Sequence, residues 1–140
     1  VSAAVQRLRG PAGAGGVQLS VTAPSGVRLR ADAGRLEQAV GNLVGNAIAY
    51  TPPGGHVSVA LSVNGDTAEV VVADDGRGLA PDELRQVFDR FYRADPHDHT
   101  GGTGVGLTIA RSIARAHGGD LRAQSAGRGE GATFTLSLPR

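Results

Sequence analysis

The chain of 140 residues contains no lysine, and its 14 basic side chains of the Lys and Arg type are all arginine. This absence excludes phosphate-binding loops of the G-x-x-x-x-G-K-[S/T] type, in which the lysine contacts the phosphates. It also excludes protein kinases of the Ser/Thr/Tyr type, which place a strand lysine on the phosphates. Pyridoxal Schiff-base enzymes are excluded because no lysine side chain is present to form the Schiff base.

Cysteine is absent as well, which removes disulfides, thiolate nucleophiles and cysteine-bound zinc and fits a reducing compartment. No apolar run approaches the ~18 residues that a membrane span needs, and no signal peptide opens the chain. The net charge of +1 argues against strong non-specific binding to nucleic acid. Methionine is missing even at position 1, which suggests an excised fragment of a larger protein. The length predicts one domain with a buried core.

Glycine is abundant, and its densest run lies at residues 101–106. These glycines let the backbone approach another molecule closely. The amphipathic segment 105–117 follows directly and is predicted to be a helix, whose N-terminus offers unpaired N–H groups and the positive end of a dipole. The combination is typical of a phosphate-binding site. A flexible linker is the alternative, although linkers rarely run straight into a periodic helix.

A dinucleotide-binding Rossmann motif fits this glycine run less well. Ile109 stands where the third glycine of that motif belongs. The preceding residues 94–103 are polar and loop-like rather than a strand, so the required structural context is missing.

Hydrophobic periodicity predicts an α+β fold with one sheet and helices on one side. Asp32 is a candidate N-cap for a helix whose apolar face carries Leu36, Val40, Leu43 and Ala47. Asn64 and Gly65 form a hairpin signal. The predicted strands are 17–21, 27–30, 57–63, 68–73, 120–125 and 132–138, and the other predicted helices are 81–88 and 105–117.

Two asparagines, Asn42 and Asn46, lie one turn apart on the first of these helices, so they share a stripe beside its apolar face. An amide oxygen is a neutral, hard ligand that suits Mg²⁺, which binds one or two protein oxygens together with substrate phosphates. Two merely exposed or capping asparagines are the alternative interpretation.

Residues 74–79, with the sequence DDGRGL, end a strand that is expected to be buried. A carboxylate at this point can accept a hydrogen bond from an exocyclic base amine, and Gly76 and Gly78 would let the ring lie against the backbone. A simple Asp/Gly turn is the alternative.

The order of these elements resembles the catalytic and ATP-binding domain of sensor histidine kinases of two-component systems. That domain belongs to the GHKL superfamily, with gyrase B, the MutL-type repair ATPases and the large ATP-driven chaperones. The resemblance covers most of the chain, and the F box separates histidine kinases from the ATPases. The matching segments are 36–52 (N box), 74–79 (G1), 87–93 (F box), 102–107 (G2) and 127–134 (last glycine turn).

The resemblance implies a Bergerat-type fold: a two-layer α/β sandwich with a mixed sheet and three main helices on one face. Residues 1–16 would be the end of an upstream helix or linker, and residues 17–140 the ATP-binding catalytic domain. The domain would be cytoplasmic, and its parent protein anchored in the inner (plasma) membrane.

The resemblance also implies roles for individual residues. Asn46 would bind Mg²⁺ with support from Asn42, Tyr50 would pack against adenine, and Asp74 would receive the adenine amino group. Arg90 and Arg93 would belong to a lid and reach phosphate oxygens, which together with the two asparagines makes the catalytic set. Thr133 would lie beside the adenine-side carboxylate. The other nucleotide-binding residues implied are Gly76, Gly78, Leu79, Gly102, Thr103, Gly104, Val105, Gly106 and Leu107.

Position 49 departs from the family, which commonly has lysine in the N box where this chain has Ala49. Helical spacing places position 49 on the stripe of Asn42 and Asn46, facing the phosphates. A charge-assisted contact is worth roughly 1.5–3 kcal/mol. We therefore expect weaker ATP affinity, or substitution of the missing cation by Arg90 or Arg93.

None of the four histidines, His56, His97, His99 and His117, has the sequence context of a phosphoacceptor, and the family's acceptor motif S-H-E-L-R-T-P is absent. The resemblance therefore implies that this fragment donates the γ-phosphoryl group of Mg-ATP to a histidine elsewhere and is inactive for autophosphorylation alone. The partners would be the dimerisation domain of the same parent, which would form the homodimer, and a response regulator.

Two other functions stay open. An ATPase of the gyrase/MutL type would need a glutamate general base four residues before the metal-binding asparagine, where this chain has Asn42. A nucleotide-sensing interaction module without kinase activity is the second alternative, and Ala49 is compatible with it.

Overall fold

A computed structural model of the chain describes residues 13, 16–22, 33–81, 84, 106–127 and 129–139. These residues form a mixed sheet and two helices. The elements in chain order are β1 (Gln18–Thr22), α1 (Ala33–Ala49), β2 (His56–Asn64), β3 (Thr67–Asp74), α2 (Gly106–Ala116), β4 (Asp120–Gln124) and β5 (Ala132–Pro139).

The sheet has the strand order β1-β2-β3-β5-β4. β1 runs parallel to β2, and the other neighbouring strands pair antiparallel. Asn64 pairs with Thr67, so the predicted hairpin is present with Gly65 and Asp66 as its two-residue loop. The expected α+β class with a mixed sheet is confirmed.

One face of the sheet is apolar and carries the helices. Alternate residues of β2, β3 and β5 are buried, which is the period-2 pattern of strands with one covered face. α1 packs on β2 and β3, α2 packs on β4 and β5, and the two helices contact each other. The largest fully buried strand side chains are Val57, Val59, Val70, Val72, Leu121, Phe134 and Leu136.

Helix α1 forms because its apolar residues recur every three or four positions. The side chains of Ala39, Val40, Leu43, Val44 and Ala47 are all completely buried. The helix ends before Pro52, with the buried Thr51 hydroxyl donating a hydrogen bond to the carbonyl of Ala47 at 2.7 Å. The predicted face is confirmed, and Asn42 and Asn46 lie half-buried at its border.

Helix α2 buries Leu107, Ala110, Ile113 and Ala114. Ile109 is only partly buried against the core. Of the third expected helix, 81–88, the structure describes Pro81 and Leu84, which have helical backbone. The Leu84 N–H donates to the carbonyl of Ala80 at 3.0 Å.

Several other predicted features fall outside the described residues. They include the strand at 27–30, the N-cap at Asp32 and most of the linker segment 1–16, so the proposed domain boundary stays a prediction. Within the described part of the chain, neither helix has the length and apolarity that would let it cross a membrane.

An ion-pair cluster connects the end of α2 to the start of β4. Asp120 Oδ1 accepts from Arg111 Nε at 3.0 Å, from Arg115 Nε at 3.1 Å and from the Leu121 N–H at 2.8 Å. The hydrogen bond from Arg111 contributes most to lowering the pKa of Asp120 to about 2. Because the Asp120 side chain is 42 % exposed, solvent screens these pairs and limits their contribution to stability.

We predict that Asp120→Asn lowers the free energy of unfolding at pH 7 by less than about 1 kcal/mol. A lowered pKa means that Asp120 stabilises the fold above its unfolded-state pKa of about 3.9 and that this contribution is lost as the pH falls toward 2. Urea unfolding at several pH values measures the difference, which should shrink below about pH 4. Asp66→Asn, in the exposed β2–β3 loop, is the control. A pH-independent difference would contradict the prediction.

Candidate functional site

The C-terminal half of α1, together with Tyr50 that follows it, contacts the acidic loop after β3 and the start of α2. Asn42 reaches the start of α2, and Tyr50, which follows the helix, contacts the loop after β3. The predicted amide stripe, acidic loop and glycine-run helix are therefore neighbours in space, although they are separated by many residues in the chain.

The Asn42 side chain ties α1 to the beginning of α2. Its Nδ2 donates a hydrogen bond to the carbonyl of Gly106 at 3.1 Å. A Cβ at Gly106 would lie 3.8 Å from Asn42 Cβ and Cγ, so a methyl group added here would make an ordinary van der Waals contact with Asn42. A carbonyl only accepts, so Nδ2 faces Gly106 and Oδ1 is left as an acceptor.

Asn46 lies one turn further toward the end of α1 and is half-buried. Within the described part of the chain its side chain forms no hydrogen bond, whereas its backbone carbonyl accepts from the Tyr50 N–H at 3.1 Å. No group of three or more His, Cys, Asp or Glu side chains that could hold a metal occurs among the described residues. Two amide oxygens fit Mg²⁺ bound together with phosphates, which needs few protein ligands.

Asp74 ends β3 on the face of the sheet that packs against the helices and is half-buried. Its Oδ1 accepts a hydrogen bond from the Gly76 N–H at 2.9 Å. Burial raises the pKa of Asp74, the N–H groups of Gly76 and Ala132 partly oppose this, and the nearby Asp75 adds to the rise. The carboxyl group is thus oriented by the backbone in a partly desolvated position.

The adjacent acid, Asp75, has a different role. It is exposed, and its Oδ1 accepts from the His56 N–H at 2.7 Å. The Asp75 N–H donates back to the carbonyl of His56 at 3.2 Å. Asp75 therefore fixes the end of the β2–β3 pairing, and Asp74 is the acid available to the site.

The glycines of the acidic loop are required by close backbone packing. A Cβ at Gly76 would lie 2.3 Å from the carbonyl oxygen of Tyr50. Gly78 has a φ of +67°, and a Cβ there would lie 2.1 Å from the carbonyl oxygen of Gly127. The loop is therefore held between the end of α1 and the glycine turn that precedes β5, and side chains at these two positions would separate the three segments.

Ser125 is a site-forming residue that the sequence did not reveal. Its Oγ accepts from the Leu79 N–H at 3.0 Å and donates to the carbonyl of Gly131 at 2.6 Å. The hydroxyl thereby joins the acidic loop to the turn before β5. A serine two residues before a glycine is compatible with a turn, but no local pattern indicates that its partner is Leu79.

A second unpredicted contact involves Arg77 and Tyr50. The Arg77 guanidinium carbon lies 4.4 Å from the centroid of the Tyr50 ring. The Arg77 N–H also donates to the carbonyl of Tyr50 at 3.3 Å. The ring that was predicted to pack against adenine thus has a cation on one of its faces.

The structure corrects the prediction for Thr133. Ala132 is the register partner of Asp74, whereas Thr133 pairs with Ala73. Because side chains alternate along a strand, Thr133 lies on the opposite face of the sheet from Asp74. The residue beside the carboxylate is therefore Ala132, which has no hydroxyl.

The remaining predicted site residues fall into three groups. Leu79 and Leu107 belong to the hydrophobic core, so each anchors the segment that carries it. Ala49 is the last residue of α1, and its role toward phosphates stays a prediction. The predicted residues outside the described part of the chain are Arg90, Arg93, Gly102, Thr103, Gly104 and Val105.

Comparison with known proteins identifies the family. Residues 31–140 match the family described as histidine kinase-, DNA gyrase B- and HSP90-like ATPase. The chain is 43 % identical over 141 residues to the sensor-like histidine kinase SenX3 of Mycolicibacterium smegmatis, covering 99 % of this chain and 36 % of that protein. It is 41 % identical over 112 residues to the sensor histidine kinase WalK of Bacillus subtilis, covering 77 % of this chain and 18 % of WalK. The chain thus spans about a third or less of these curated relatives.

Solved structures agree with this assignment. The mycobacterial sensor histidine kinase MprB superposes with a TM-score of 0.84 at 32 % identity, covering 99 % of this chain and 90 % of that chain. Full-length ShkA in complex with AMPPNP superposes with a TM-score of 0.83 at 30 % identity, covering 99 % of this chain and 28 % of that chain. The chain therefore belongs to the histidine kinase-, DNA gyrase B- and HSP90-like ATPase family, and it is similar over nearly its whole length to part of a sensor-like histidine kinase.

Proposed function

We propose that this domain binds Mg-ATP and donates its γ-phosphoryl group to a histidine on a separate dimerisation domain of the same parent protein. A response regulator would then receive the phosphoryl group. Two contacts carry the proposal: Asn42 on α1 bonds the first residue of α2, and Tyr50, directly after α1, bonds the loop that follows Asp74. A base-binding carboxylate and a phosphate-binding helix terminus are thereby joined through one element.

Asp74 is the proposed anchor for the base. A carboxylate accepts hydrogen bonds only, so it selects a ring that presents an amino group, as adenine does. The Gly76 N–H fixes its direction. Gly76 and Gly78 keep side chains out of the space between the surrounding backbones. Tyr50, next to this loop, is the proposed apolar wall of the base pocket.

The amide stripe is the proposed magnesium and phosphate end. Asn46 would provide a ligand oxygen, and Asn42 would support it through the oxygen that its bond to Gly106 leaves available. The metal, when bound, supplies charge neutralisation on the phosphates. The start of α2 would add N–H groups and the positive end of its dipole.

Phosphoryl transfer needs positioning and charge neutralisation more than covalent catalysis. This requirement agrees with a site whose contributions are amides, backbone N–H groups and a base-binding carboxylate. Arg90 and Arg93 are proposed to contact the phosphates from a lid. AMPPNP in the structure of full-length ShkA, part of which has a similar fold, supports nucleotide binding by this domain.

The acceptor histidine and the dimer interface would lie in the longer parent protein that is proposed here, and the response regulator would be a separate protein. The chain covers 36 % of SenX3 and 18 % of WalK, in keeping with such a longer parent. The resemblance to this family is the basis for proposing a cytoplasmic domain in a parent that is anchored in the inner (plasma) membrane.

A water-directed ATPase of the gyrase/MutL type is less well supported. The position of its general base is held by Asn42, whose amide is not a base and whose Nδ2 is engaged with Gly106.

Transfer to an acceptor tests the proposed reaction directly. We expect the purified domain with Mg-ATP to phosphorylate an added dimerisation domain from the parent protein, with negligible release of inorganic phosphate when the acceptor is omitted. Radiolabelled ATP and gel separation measure the transfer. Rapid phosphate release without an acceptor would favour the ATPase, and tight binding without transfer to any acceptor would favour the interaction module.

Replacing Asp74 tests the base-binding assignment. We predict that Asp74→Asn weakens ADP and adenosine binding by about 10- to 100-fold, because a hydrogen bond to a charged group is worth roughly 1.5–3 kcal/mol. Isothermal titration calorimetry measures the affinities. Asp75→Asn is the matched control, since Asp75 bonds the His56 backbone and leaves the base untouched. Equal affinities for wild type and Asp74→Asn would refute the assignment.

Adding the missing cation tests the phosphate end. We predict that Ala49→Lys tightens ATP binding by about 10- to 100-fold, because the new ammonium group would form a charge-assisted contact worth roughly 1.5–3 kcal/mol. Adenosine binding should stay nearly unchanged. Ala49→Met, of similar length but uncharged, is the control for simple packing. An equal gain for ATP and adenosine would show that position 49 does not face the phosphates.

A further inference from the structure

The contact between Arg77 and Tyr50 lies at the base end of the proposed site. We propose that Arg77 is a positioning residue for adenine recognition, whose guanidinium holds the Tyr50 ring in the orientation that the base requires. This inference rests on the proposed function, in which Tyr50 packs against adenine. It adds a residue that acts through Tyr50 rather than on the nucleotide.

The geometry is that of a cation–π pair. The guanidinium carbon lies 4.4 Å from the ring centroid, well inside the approximately 6 Å over which such pairs attract. Both residues are half-buried, so water screens the attraction less than it would on an open surface.

The backbone of Arg77 is held independently of its side chain. Its N–H donates to the carbonyl of Tyr50 at 3.3 Å, and its carbonyl accepts from the Gly129 N–H at 2.6 Å. Both bonds survive replacement of the side chain. Substitution at position 77 therefore probes the guanidinium while the loop stays in place.

The pair restricts how a purine can approach. One face of the Tyr50 ring is covered by the guanidinium, so a base has the other face or the ring edge available. Tyr50 and Asp74 both lie against Gly76. A Cβ there would be 2.3 Å from the Tyr50 carbonyl oxygen and 3.0 Å from Asp74 Oδ1. Without the cation the ring gains rotational freedom, which a bound base would have to restrict again.

The proposed role of Arg77 can be distinguished from that of a phosphate-binding arginine by the ligands that each would affect. A guanidinium that contacts phosphates would favour ATP over ADP and ADP over adenosine. A guanidinium that orders Tyr50 acts on the base alone, so it should affect the three ligands by the same factor.

The experiment compares affinities for adenosine, ADP and Mg-ATP by isothermal titration calorimetry. We expect Arg77→Ala to weaken all three by the same factor, about 3- to 10-fold. Arg77→Lys, which keeps a cation, should lose less than Arg77→Gln, which does not. This pair still tests the proposal if the alanine variant fails to fold. The control is Arg122→Ala, which removes a 67 % exposed arginine paired with Glu69.

A double-mutant cycle identifies Tyr50 as the intermediary. In a Tyr50→Phe background, which keeps the ring, Arg77→Ala should still weaken binding. In a Tyr50→Leu background its effect should disappear. The proposal is overturned by an undiminished effect in the leucine background, by a loss confined to ATP, or by unchanged or tighter binding in Arg77→Ala.

Failure of this inference is distinguishable from failure of the proposed function. If the wild-type domain does not bind adenosine, or if Asp74→Asn binds it equally well, the base pocket itself is wrong and the role of Arg77 falls with it. If Asp74→Asn loses binding while Arg77→Ala, Arg77→Lys and Arg77→Gln all match wild type, only the role of Arg77 is wrong.

Discussion

The site depends on the seating of helix α1 between two other segments. Its buried face of alanine, valine and leucine fixes the helix on the sheet. That seating carries Asn42 to the first residue of α2 and Tyr50 to the loop after β3. Each contact is individually modest, since a hydrogen bond contributes on the order of 1 kcal/mol. Their position is set by the hydrophobic packing beneath them, so the core determines the geometry of the polar groups above it.

Two neighbouring acids show how the fold assigns function to similar residues. Asp74 and Asp75 have the same side chain, but Asp74 ends β3 and is half-buried, whereas Asp75 lies just beyond the strand and is exposed. Asp75 is used in the pairing of β2 with β3, whereas Asp74 is held in a partly desolvated position by the Gly76 N–H. Burial raises the pKa of Asp74. Partial desolvation also strengthens the hydrogen bond that its carboxylate could make to a base.

The glycines of the chain serve packing as much as flexibility. Gly76, Gly78 and Gly131 each bring one backbone to within van der Waals distance of another, where a Cβ would collide with a carbonyl oxygen. The hydroxyl of Ser125 then closes the same junction with hydrogen bonds to both loops. The proposed base end of the site is thus a junction of three backbone segments with few side chains between them.

Local patterns in the sequence determined the elements and most of the motifs. Alternation and helical spacing predicted β2, β3, β5 and the buried face of α1, because these periods reflect geometry within a single segment. Register and long-range pairing were decided only by the tertiary structure. Thr133 looked like the neighbour of Asp74 in the motif, but a one-residue difference in register places it on the other face and Ala132 beside the acid. The pairing of Arg77 with Tyr50 and of Ser125 with Leu79 likewise joins residues distant in the chain, and no local period encodes such a contact.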